Sequence, residues 1–554
     1  MKTKKLLTEI RKKMVLVIAI LFFTCVVFSQ PFDQKVSTNS TTGTQEGEAC
    51  IAINPTDSSK MVIGFMEQSQ SSLNFRIYTS TNGGIAWAAT AFNAQATLAA
   101  DFPGRSIAGG GDILLAYDKT GKLYCSWIYA LVKPGPTQLD SLLMVMYWGE
   151  STNNGASFTM QSSADKFINR GIMNYNTNQI YNVWDGIGDR QWMACDLSNG
   201  ANANKLYCGY LLYPPNQSGT GLYVRSKNAS SNTFGAKVIA YAGNGQLSNV
   251  LVDKNGTMHY VFGNIANNTV YHCSSPNGGT TFSTAHVIAS GGILFPQSNK
   301  FINDRENAAV SFAIDGANNL HIVWNDFPGG TFPNAYYSYS TNGGQTWSAK
   351  LDLSQKFGNH VFMPTISAKN NKVTISANVL DNTKKSEYYI LTSHDNGKNF
   401  SSPIKVSSGI TDHTTAKTLF MGDYSTSVRT YCTIFSTWTD NRASGAKQYL
   451  AVYNECSGMG IQEIIPVNGS YSLSNVYPNP VRDELSIEIL SQKSNLFNIS
   501  LLDISGRILI RQELIASEGS NTFSMNLHHL DAGNYLLKVV DREEFMTTRI
   551  IVRQ

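Results

Sequence analysis

Apolar strands separated by polar turns recur along most of the chain. The pattern is an apolar run, a polar turn and a second apolar run, as in ILLAYDKTGKLYCSW (113–127) and VSFAIDGANNLHIVW (310–324). Seven such units of roughly 55–75 residues contain about four strands each, and no helical periodicity interrupts them. Four-stranded units repeated radially predict an all-β fold, a seven-bladed β-propeller, with six blades as the alternative.

An eight-residue pattern, Ser-x-Asn/Asp-x-Gly-x-x-aromatic, follows the strands in five units and begins at Ser80, Ser151, Ser275, Ser340 and Ser393. The Asn or Asp side chain can bond backbone N–H groups of a tight turn, and the glycine supplies a positive φ. We therefore expect structural, turn-forming roles for Asn82, Gly84, Trp87, Asn153, Gly155, Phe158, Asn277, Gly279, Phe282, Asn342, Gly344, Trp347, Asp395, Gly397 and Phe400.

This pattern resembles the Asp-box, or bacterial neuraminidase repeat, of sialidase-like propellers. The resemblance implies a propeller over residues 31–457 whose Asp-boxes are structural. It does not imply catalysis, because the family's first substrate-binding arginine lies in an Arg-Ile-Pro motif on an early inner strand. The first inner strand here, EACIAIN, has no arginine, and Arg76 lies on a third strand without the proline.

The seventh unit ends at KQYLAVYN (447–454) with no eight-residue pattern after it. Its outer strand is therefore missing from the sequence order. An open ring would leave an exposed sheet edge, so we expect the segment Lys35 to Gly43 to supply this strand and close the ring.

A second pattern begins after a predicted linker at residues 458–470. Short alternating strands in residues 471–554 predict a small Ig-like β-sandwich. The YPNP motif, the turn with Asp503, Gly506 and Arg507, and the ending LDAGNYLLKVV resemble the type A C-terminal sorting domain of the type IX secretion system. The resemblance implies export, the type IX secretion machinery as a partner, and removal of the domain. It also implies a secreted protein, or one on the outer-membrane surface of a Gram-negative bacterium.

The chain starts with a pattern typical of a secretory signal peptide, residues 1–30. A basic segment precedes the apolar run MVLVIAILFFTCVVF (14–28), and an uncleaved anchor is the alternative. The chain has a formal charge of +4, but residues 1–30 carry six basic residues and one acidic residue, so the remainder is close to neutral. A near-neutral chain has no basic footprint for nucleic acid. No later apolar run is long enough to span a membrane, so we expect no transmembrane segment after signal removal.

Seven of the eight cysteines lie after the signal peptide, most of them within apolar strand patterns. Buried, unpaired thiols are the favoured interpretation, although Cys195 with Cys208, or Cys432 with Cys456, could form a disulfide in an exported protein. No cysteine or histidine spacing indicates a metal site, and we expect no metal and no cofactor.

Ionisable residues concentrate in the loops that precede inner strands and follow second strands, which share one face of a propeller. We identify as candidate ligand residues Arg105, Asp189, Arg190, Asp304, Arg305, Asp326, Asp423, Asp440 and Arg442. Their alternative role is to fasten neighbouring blades together, and the three tryptophans that end second strands have core packing as the alternative to sugar stacking. No catalytic residue is identified. The sequence predicts binding of a glycan or another extracellular macromolecule, with a glycoside hydrolase or polysaccharide lyase as the alternative.

Overall fold

Antiparallel β-sheets make up nearly all of the regular structure. The structure is a computed structural model that describes residues 32–37, 44–68, 73–90, 101–133, 141–160, 166–174, 176–215, 219–292, 294, 310–328, 332–414, 422–442, 445–456, 471–503, 506–541 and 546–553. The chain divides into two compact units, Gln30–Glu455 and one that contains Cys456–Gln554. The predicted signal peptide and linker lie outside the described residues, and the predicted domain boundaries stay predictions.

Seven sheets of four or five strands form the larger unit, and each sheet corresponds to one sequence unit. Sheet 1 contains β2 (Gln45–Ile53), β3 (Met61–Gln68), β4 (Leu73–Ser80) and β5 (Ala88–Ala89). Sheet 2 contains β6 (Ser106–Tyr117), β7 (Leu123–Val132), β8 (Leu142–Ser151), β9 (Thr159–Met160) and β10 (Phe167–Met173). Sheet 3 contains β11 (Ile187–Cys195), β12 (Leu206–Tyr213), β13 (Gly221–Lys227) and β14 (Val238–Ala242).

The other four sheets follow the same order along the chain. Sheet 4 contains β15 (Gly245–Val252), β16 (Met258–Asn264), β17 (Thr269–Ser275) and β18 (His286–Ala289). Sheet 5 contains β19 (Ser311–Ile314), β20 (Leu320–Asp326), β21 (Asn334–Ser340) and β22 (Leu351–Asp352). Sheet 6 contains β23 (His360–Lys369), β24 (Lys372–Leu380), β25 (Lys385–Ser393), β26 (Ile404–Lys405) and β27 (Thr411–Asp412). A short helix, α1 (Leu353–Phe357), precedes β23. Sheet 7 contains β1 (Phe32–Lys35), β28 (Ser427–Arg429), β29 (Thr433–Asp440) and β30 (Lys447–Asn454).

The sheets form a closed ring. Their innermost strands contact one another in chain order: β2 with β6, β6 with β11, β11 with β15, β15 with β19, β19 with β23, β23 with β28, and β28 with β2. Sheets arranged radially around a central channel are the architecture of a β-propeller, and the predicted all-β propeller fold is confirmed.

The strand that closes the ring lies earlier in the chain than expected. β1 pairs with β30 as the outer strand of sheet 7, with Phe32 opposite Val452 and Lys35 opposite Tyr449. The expected segment, Lys35 to Gly43, contributes only its first residue, and residues 38–43 lie outside the described residues. After Lys35, the Val36 N–H still donates to the Gln448 carbonyl oxygen at 3.0 Å, and the Ser37 Oγ donates a hydrogen bond to the Glu46 carboxylate at 2.9 Å.

Aromatic side chains fill the spaces within and between the sheets. Trp127 stacks on Tyr147 at a centroid distance of 5.6 Å, and Trp438 stacks on Tyr388 at 4.5 Å. Trp127, Trp324 and Trp438 are at most 2% exposed, so these second-strand tryptophans are core residues and offer no surface to a sugar.

The smaller unit is a β-sandwich. One sheet has the order β31-β32-β35 and the other β34-β33-β36-β37, with strands β31 (Tyr471–Tyr477), β32 (Glu484–Ser491), β33 (Asn495–Leu502), β34 (Ile508–Ala516), β35 (Gly519–Asn526), β36 (Gly533–Asp541) and β37 (Met546–Arg553). Alternate residues of β32 and β33, such as Leu485, Ile487, Phe497 and Ile499, are fully buried between the sheets. This period of two is the packing expected of a two-layer β fold.

Among the residues that the structure describes, no helix has the length and apolar character needed to cross a membrane.

Two cysteines are oxidised. Cys432 and Cys456 are disulfide-bonded, whereas Cys50, Cys125, Cys195, Cys208 and Cys273 are buried free thiols. The suggested Cys195–Cys208 bridge is therefore wrong. Both residues lie in strands of sheet 3 where burial raises the pKa of each thiol, so they act as small apolar side chains.

Candidate functional site

The innermost strands all begin on one face of the ring, which we call the mouth face. In sheet 1, Gln45 at the start of β2 lies opposite Gln68 at the end of β3. Ser80, at the end of β4, lies opposite Met61 at the start of β3 and therefore on the other face. Because every sheet is antiparallel, the eight-residue turns occupy the face away from the mouth.

β-bulges interrupt the innermost strands near the mouth face. The bulged residues Glu48, Asp112, Arg190 and Met363 have φ values of 57°, 55°, 52° and 48°. A left-handed backbone costs about 1–2 kcal/mol for a residue with a Cβ, and strained positions of this kind cluster at functional sites. A bulge also redirects a side chain, and three of these four side chains are ionisable.

One ion pair joins two sheets that are not neighbours in the ring. The Arg190 Nη1 lies 2.8 Å from the Asp423 Oδ2, and the Arg190 Nε lies 4.0 Å from the Asp189 Oδ2. Arg190 belongs to sheet 3 and Asp423 precedes β28 of sheet 7, with sheets 1 and 2 between them, so the pair spans the channel. Burial alone would lower the pKa of the Arg190 guanidinium, but Asp423 and then Asp189 outweigh burial and raise it.

A buried carboxyl group joins two innermost strands, β2 and β6, to the segment that precedes β28. Glu48 accepts hydrogen bonds from the backbone N–H groups of Asp112, at 3.2 Å, and Asp423, at 3.3 Å. Burial, followed by the charges of Asp112 and Asp423, raises the pKa of Glu48 well above its usual value. Burial and the charge of Asp189 likewise raise the pKa of Asp112 to about 7. We call Glu48, Asp112, Asp189, Arg190 and Asp423 the channel cluster; it contains four carboxyl groups and one guanidinium.

A pocket beside the channel cluster has two aromatic rings in its wall. The Trp192 and Tyr424 rings meet edge to face with centroids 5.6 Å apart, and the Tyr424 hydroxyl donates to the Ile113 carbonyl oxygen at 3.4 Å. The enclosed space of the pocket is only about 10 Å³, within an open space of about 270 Å³ that includes solvent, and it is lined by Trp192, Val310, Ser311, Met363, Pro364, Asp423, Tyr424 and Ser425. Trp192 and Ser311 are half-buried, whereas the other lining side chains, Tyr424 included, are buried, so Trp192 is the accessible ring of this wall.

The nine sequence-predicted ligand residues separate into groups. Three of them meet at the channel: Asp189, Arg190 and Asp423. Asp304 and Arg305 lie outside the described residues.

Two further predicted residues are bonded within their own sheets. The Arg105 Nη2 donates to the Ser141 Oγ at 3.0 Å, next to the start of β8. Asp326 is buried at the end of β20, and its carboxylate lies 3.9 Å from the Nζ of Lys350. Neither residue borders the pocket beside the channel cluster.

Arg442 and Asp440 fasten the closing strand. The Arg442 Nη2 donates to the Asp33 Oδ2 of β1 at 2.6 Å, and the Arg442 Nε donates to the Asp440 Oδ2 at 2.8 Å. The guanidinium also lies over the Tyr449 ring, 4.2 Å from its centroid. These contacts join β1 to the other strands of sheet 7, so the geometry of this predicted pair is that of residues that fasten strands together.

Four residues of the site were not among the predicted ones: Glu48, Asp112, Trp192 and Tyr424. A signal for the acids is present in the sequence, because glycine immediately precedes Glu48, Asp112, Asp189 and Asp423. A glycine–acid pair within or just before an innermost strand recurs in four units, and only the Asp189 and Asp423 instances were recognised. The two aromatic residues follow these acids closely but resemble ordinary strand residues.

The five eight-residue turns share one hydrogen-bond pattern. In the first, the Ser80 Oγ donates to the Asn82 Oδ1 at 2.9 Å and accepts from the Gly84 N–H at 3.0 Å. The Ala86 N–H donates to the same Asn82 Oδ1 at 3.0 Å. The same serine bonds recur in the turns that contain Asn153, Asn277, Asn342 and Asp395.

Each of these turns packs against the preceding sheet of the ring. A Cβ on Gly84 of sheet 1 would lie 3.1 Å from the Phe435 ring of sheet 7. A Cβ on Gly344 of sheet 5 would overlap the His272 ring of sheet 4. Glycine is thus required by close packing as well as by its positive φ.

Sheet 7 lacks such a turn, and an ion cluster occupies the corresponding place after β30. The Glu455 carboxylate lies 2.6 Å from the Arg429 Nη2, 2.9 Å from the His394 Nε2 and 3.6 Å from the Lys372 Nζ. Burial would raise the pKa of Glu455, but the His394 hydrogen bond and the two cations lower it. Because Lys372 and His394 belong to sheet 6, the cluster fastens sheet 7 to its predecessor.

Several solved structures are similar to this chain at low sequence identity. They include a protein of unknown function from Dyadobacter fermentans DSM 18053, with 12% identity and a TM-score of 0.41 over 76% of this chain and 98% of that one. A PL25 ulvan lyase has 9% identity and a TM-score of 0.41 over 76% and 95%. The Hadza microbial sialidase Hz136 has 11% identity and a TM-score of 0.39 over 72% and 75%. No curated protein matches the chain.

The smaller unit has a clear family match. Residues 475–553 match the family described as the secretion system C-terminal sorting domain, which confirms the sorting-domain resemblance. Proteins with this domain are exported by the type IX secretion system, so the predicted localisation is confirmed as well. The chain is therefore a β-propeller followed by a secretion system C-terminal sorting domain, which directs it to the extracellular space or the outer cell surface.

Proposed function

We propose that this exported propeller binds a glycan in the pocket beside the channel cluster. The observation that carries the proposal is the half-buried Trp192 ring, which packs edge to face on buried Tyr424 and lines a pocket next to the Arg190–Asp423 ion pair. Aromatic rings provide apolar surface for the C–H face of a sugar, and carboxylate and hydroxyl oxygens bond its hydroxyl groups. An apolar pocket with a few convergent polar groups is the arrangement typical of ligand sites.

Glycoside cleavage is a second candidate, supported by a different observation. The pKa of Asp112 is about 7, so this carboxyl group can hold a proton at neutral pH, as a general acid must. Two carboxyl groups that differ in protonation are the usual machinery of glycoside hydrolysis, and Asp189 and Asp423 flank Asp112 in the channel cluster. Binding ranks first because the arginine motif of the catalytic sialidases is missing from the first inner strand.

A printed array of extracellular glycans would test the binding proposal with two matched tryptophan variants. Trp192→Ala removes a ring of the pocket, whereas Trp347→Ala removes a half-buried ring from a turn on the opposite face. We expect Trp192→Ala to weaken glycan binding at least about tenfold, since it removes the stacking surface, and Trp347→Ala to leave binding unchanged while lowering stability.

Loss of binding in both variants, or in neither, would contradict the assignment of the pocket. Incubating the bound glycans with the protein and with Asp112→Asn, followed by detection of new reducing ends or unsaturated products, distinguishes cleavage from binding. Product formed by the wild-type protein and lost in Asp112→Asn would favour the second candidate.

A further inference from the structure

We propose that the mouth of this propeller excludes carboxylated and sulfated sugars and selects uncharged ones. The inference rests on the proposed glycan binding and specifies the class of glycan. It comes from the charges of the channel cluster and from the partners of the nearby cations.

Acidic groups outnumber the cation at the channel. Among the described residues, the channel cluster combines the carboxyl groups of Glu48, Asp112, Asp189 and Asp423 with the single guanidinium of Arg190. Burial and repulsion from neighbouring acids raise the pKa values of Glu48 and Asp112 and favour their uncharged forms, so the Asp189 and Asp423 carboxylates are the charges set against the single Arg190 guanidinium. A carboxylate or sulfate on a ligand would add to the same repulsion.

The Arg190 guanidinium is already bound by acids. Its Nη1 lies 2.8 Å from Asp423, its side chain is only 20% exposed, and Asp189 approaches its Nε. Anion recognition by arginine requires a guanidinium whose donors can face the ligand. An acidic sugar would therefore have to displace Asp423, a carboxylate that the fold holds in place.

Other cations described on the mouth face have partners away from the pocket. Arg105 bonds Ser141, and Lys350 lies near Asp326. Arg442 is occupied by the closing strand and by its own loop. None of these three cations lines the pocket, whose only ionisable side chains among the described lining residues are those of Asp423 and Tyr424.

The pocket wall suits an uncharged sugar. Half-buried Trp192 offers apolar surface, while half-buried Ser311 carries a hydroxyl group that both donates and accepts hydrogen bonds. The Asp423 carboxylate accepts hydrogen bonds from sugar hydroxyls without needing a charge on the ligand.

An array that carries neutral, carboxylated and sulfated oligosaccharides tests the inference on the full secreted protein. We expect the oligosaccharides that the wild-type protein binds to be neutral. We expect Asp423→Asn to raise the affinity for carboxylated sugars at least about tenfold, since it releases Arg190. Asp326→Asn is the matched control: it also removes a carboxylate from an ion pair on the mouth face, but it frees Lys350 away from the pocket. That variant should keep the wild-type selectivity.

The outcomes separate the two proposals. Preferential binding of acidic sugars that is lost in Trp192→Ala would overturn the selectivity inference and leave the binding site in place. If Asp423→Asn folds, as judged by circular dichroism, and binds acidic sugars no better than the wild-type protein, the selectivity inference would also be overturned. Absence of binding to every glycan class would overturn the proposed function and the inference with it.

Discussion

Two adjacent glycines allow the energetic cost of backbone strain to be measured apart from the cost of close packing between sheets. Gly343 and Gly344 both lie in the turn after β21 and have φ values of 69° and 86°. A Cβ on Gly343 would meet no heavy atom within 4 Å, whereas one on Gly344 would overlap the His272 ring of the preceding sheet. Each substitution by alanine should cost about 1–2 kcal/mol through the left-handed backbone. Only Gly344→Ala should add about 1–3 kcal/mol for overpacking.

Equilibrium urea unfolding of the secreted propeller, followed by tryptophan fluorescence, measures both costs. The free energy of unfolding should fall by about 1–2 kcal/mol for Gly343→Ala and by about 2–5 kcal/mol for Gly344→Ala. Adding His272→Ala to Gly344→Ala should cost less than His272→Ala alone, because the overlap is relieved. Equal losses for the two glycine substitutions would refute the conclusion that these turns fasten each sheet to its predecessor.

Three further predictions concern the ring closure, the channel and export. Arg442→Ala should lower the free energy of unfolding by about 3–5 kcal/mol, because it leaves Asp440 buried without its cation and releases Asp33; urea unfolding measures the loss. The folded-state pKa of Asp112, about 7, exceeds its ordinary value of 3.8, so the folded state binds more protons and stability falls as pH rises between these values. The melting temperature, measured at several pH values across this range, should therefore fall less steeply with rising pH for Asp112→Asn than for the wild-type protein. Mass spectrometry should find the extracellular protein without most of residues 471–554, and an intact C-terminus would contradict removal of the sorting domain.

Local pattern was sufficient to predict the sheets. The alternation of apolar runs and polar turns has the period of antiparallel strands, and each sequence unit became one sheet. The turns with Ser-x-Asn/Asp-x-Gly form within eight residues, so their hydrogen bonds follow directly from the sequence. The sorting domain was identified for a related reason, because its motifs are contiguous.

The site depended on contacts that no local pattern contains. Arg190 and Asp423 lie in sheets 3 and 7, and their approach follows from ring closure and from the bulge at Arg190. Arg442 belongs to the same predicted set, yet it binds the closing strand because β1 lies at Phe32–Lys35. The sequence pattern assigned these residues to one face but could not separate residues at the channel from residues that fasten strands together, since both kinds are Asp and Arg beside strand ends.

The central claim is that the pocket beside the channel cluster holds the glycan. A crystal structure of the secreted propeller with a sugar from the array is the most direct measurement. The account predicts sugar density against the Trp192 ring, with a hydroxyl group within hydrogen-bond distance of the Asp423 carboxylate. Sugar density on the opposite face, among the eight-residue turns, with this pocket empty, would contradict it.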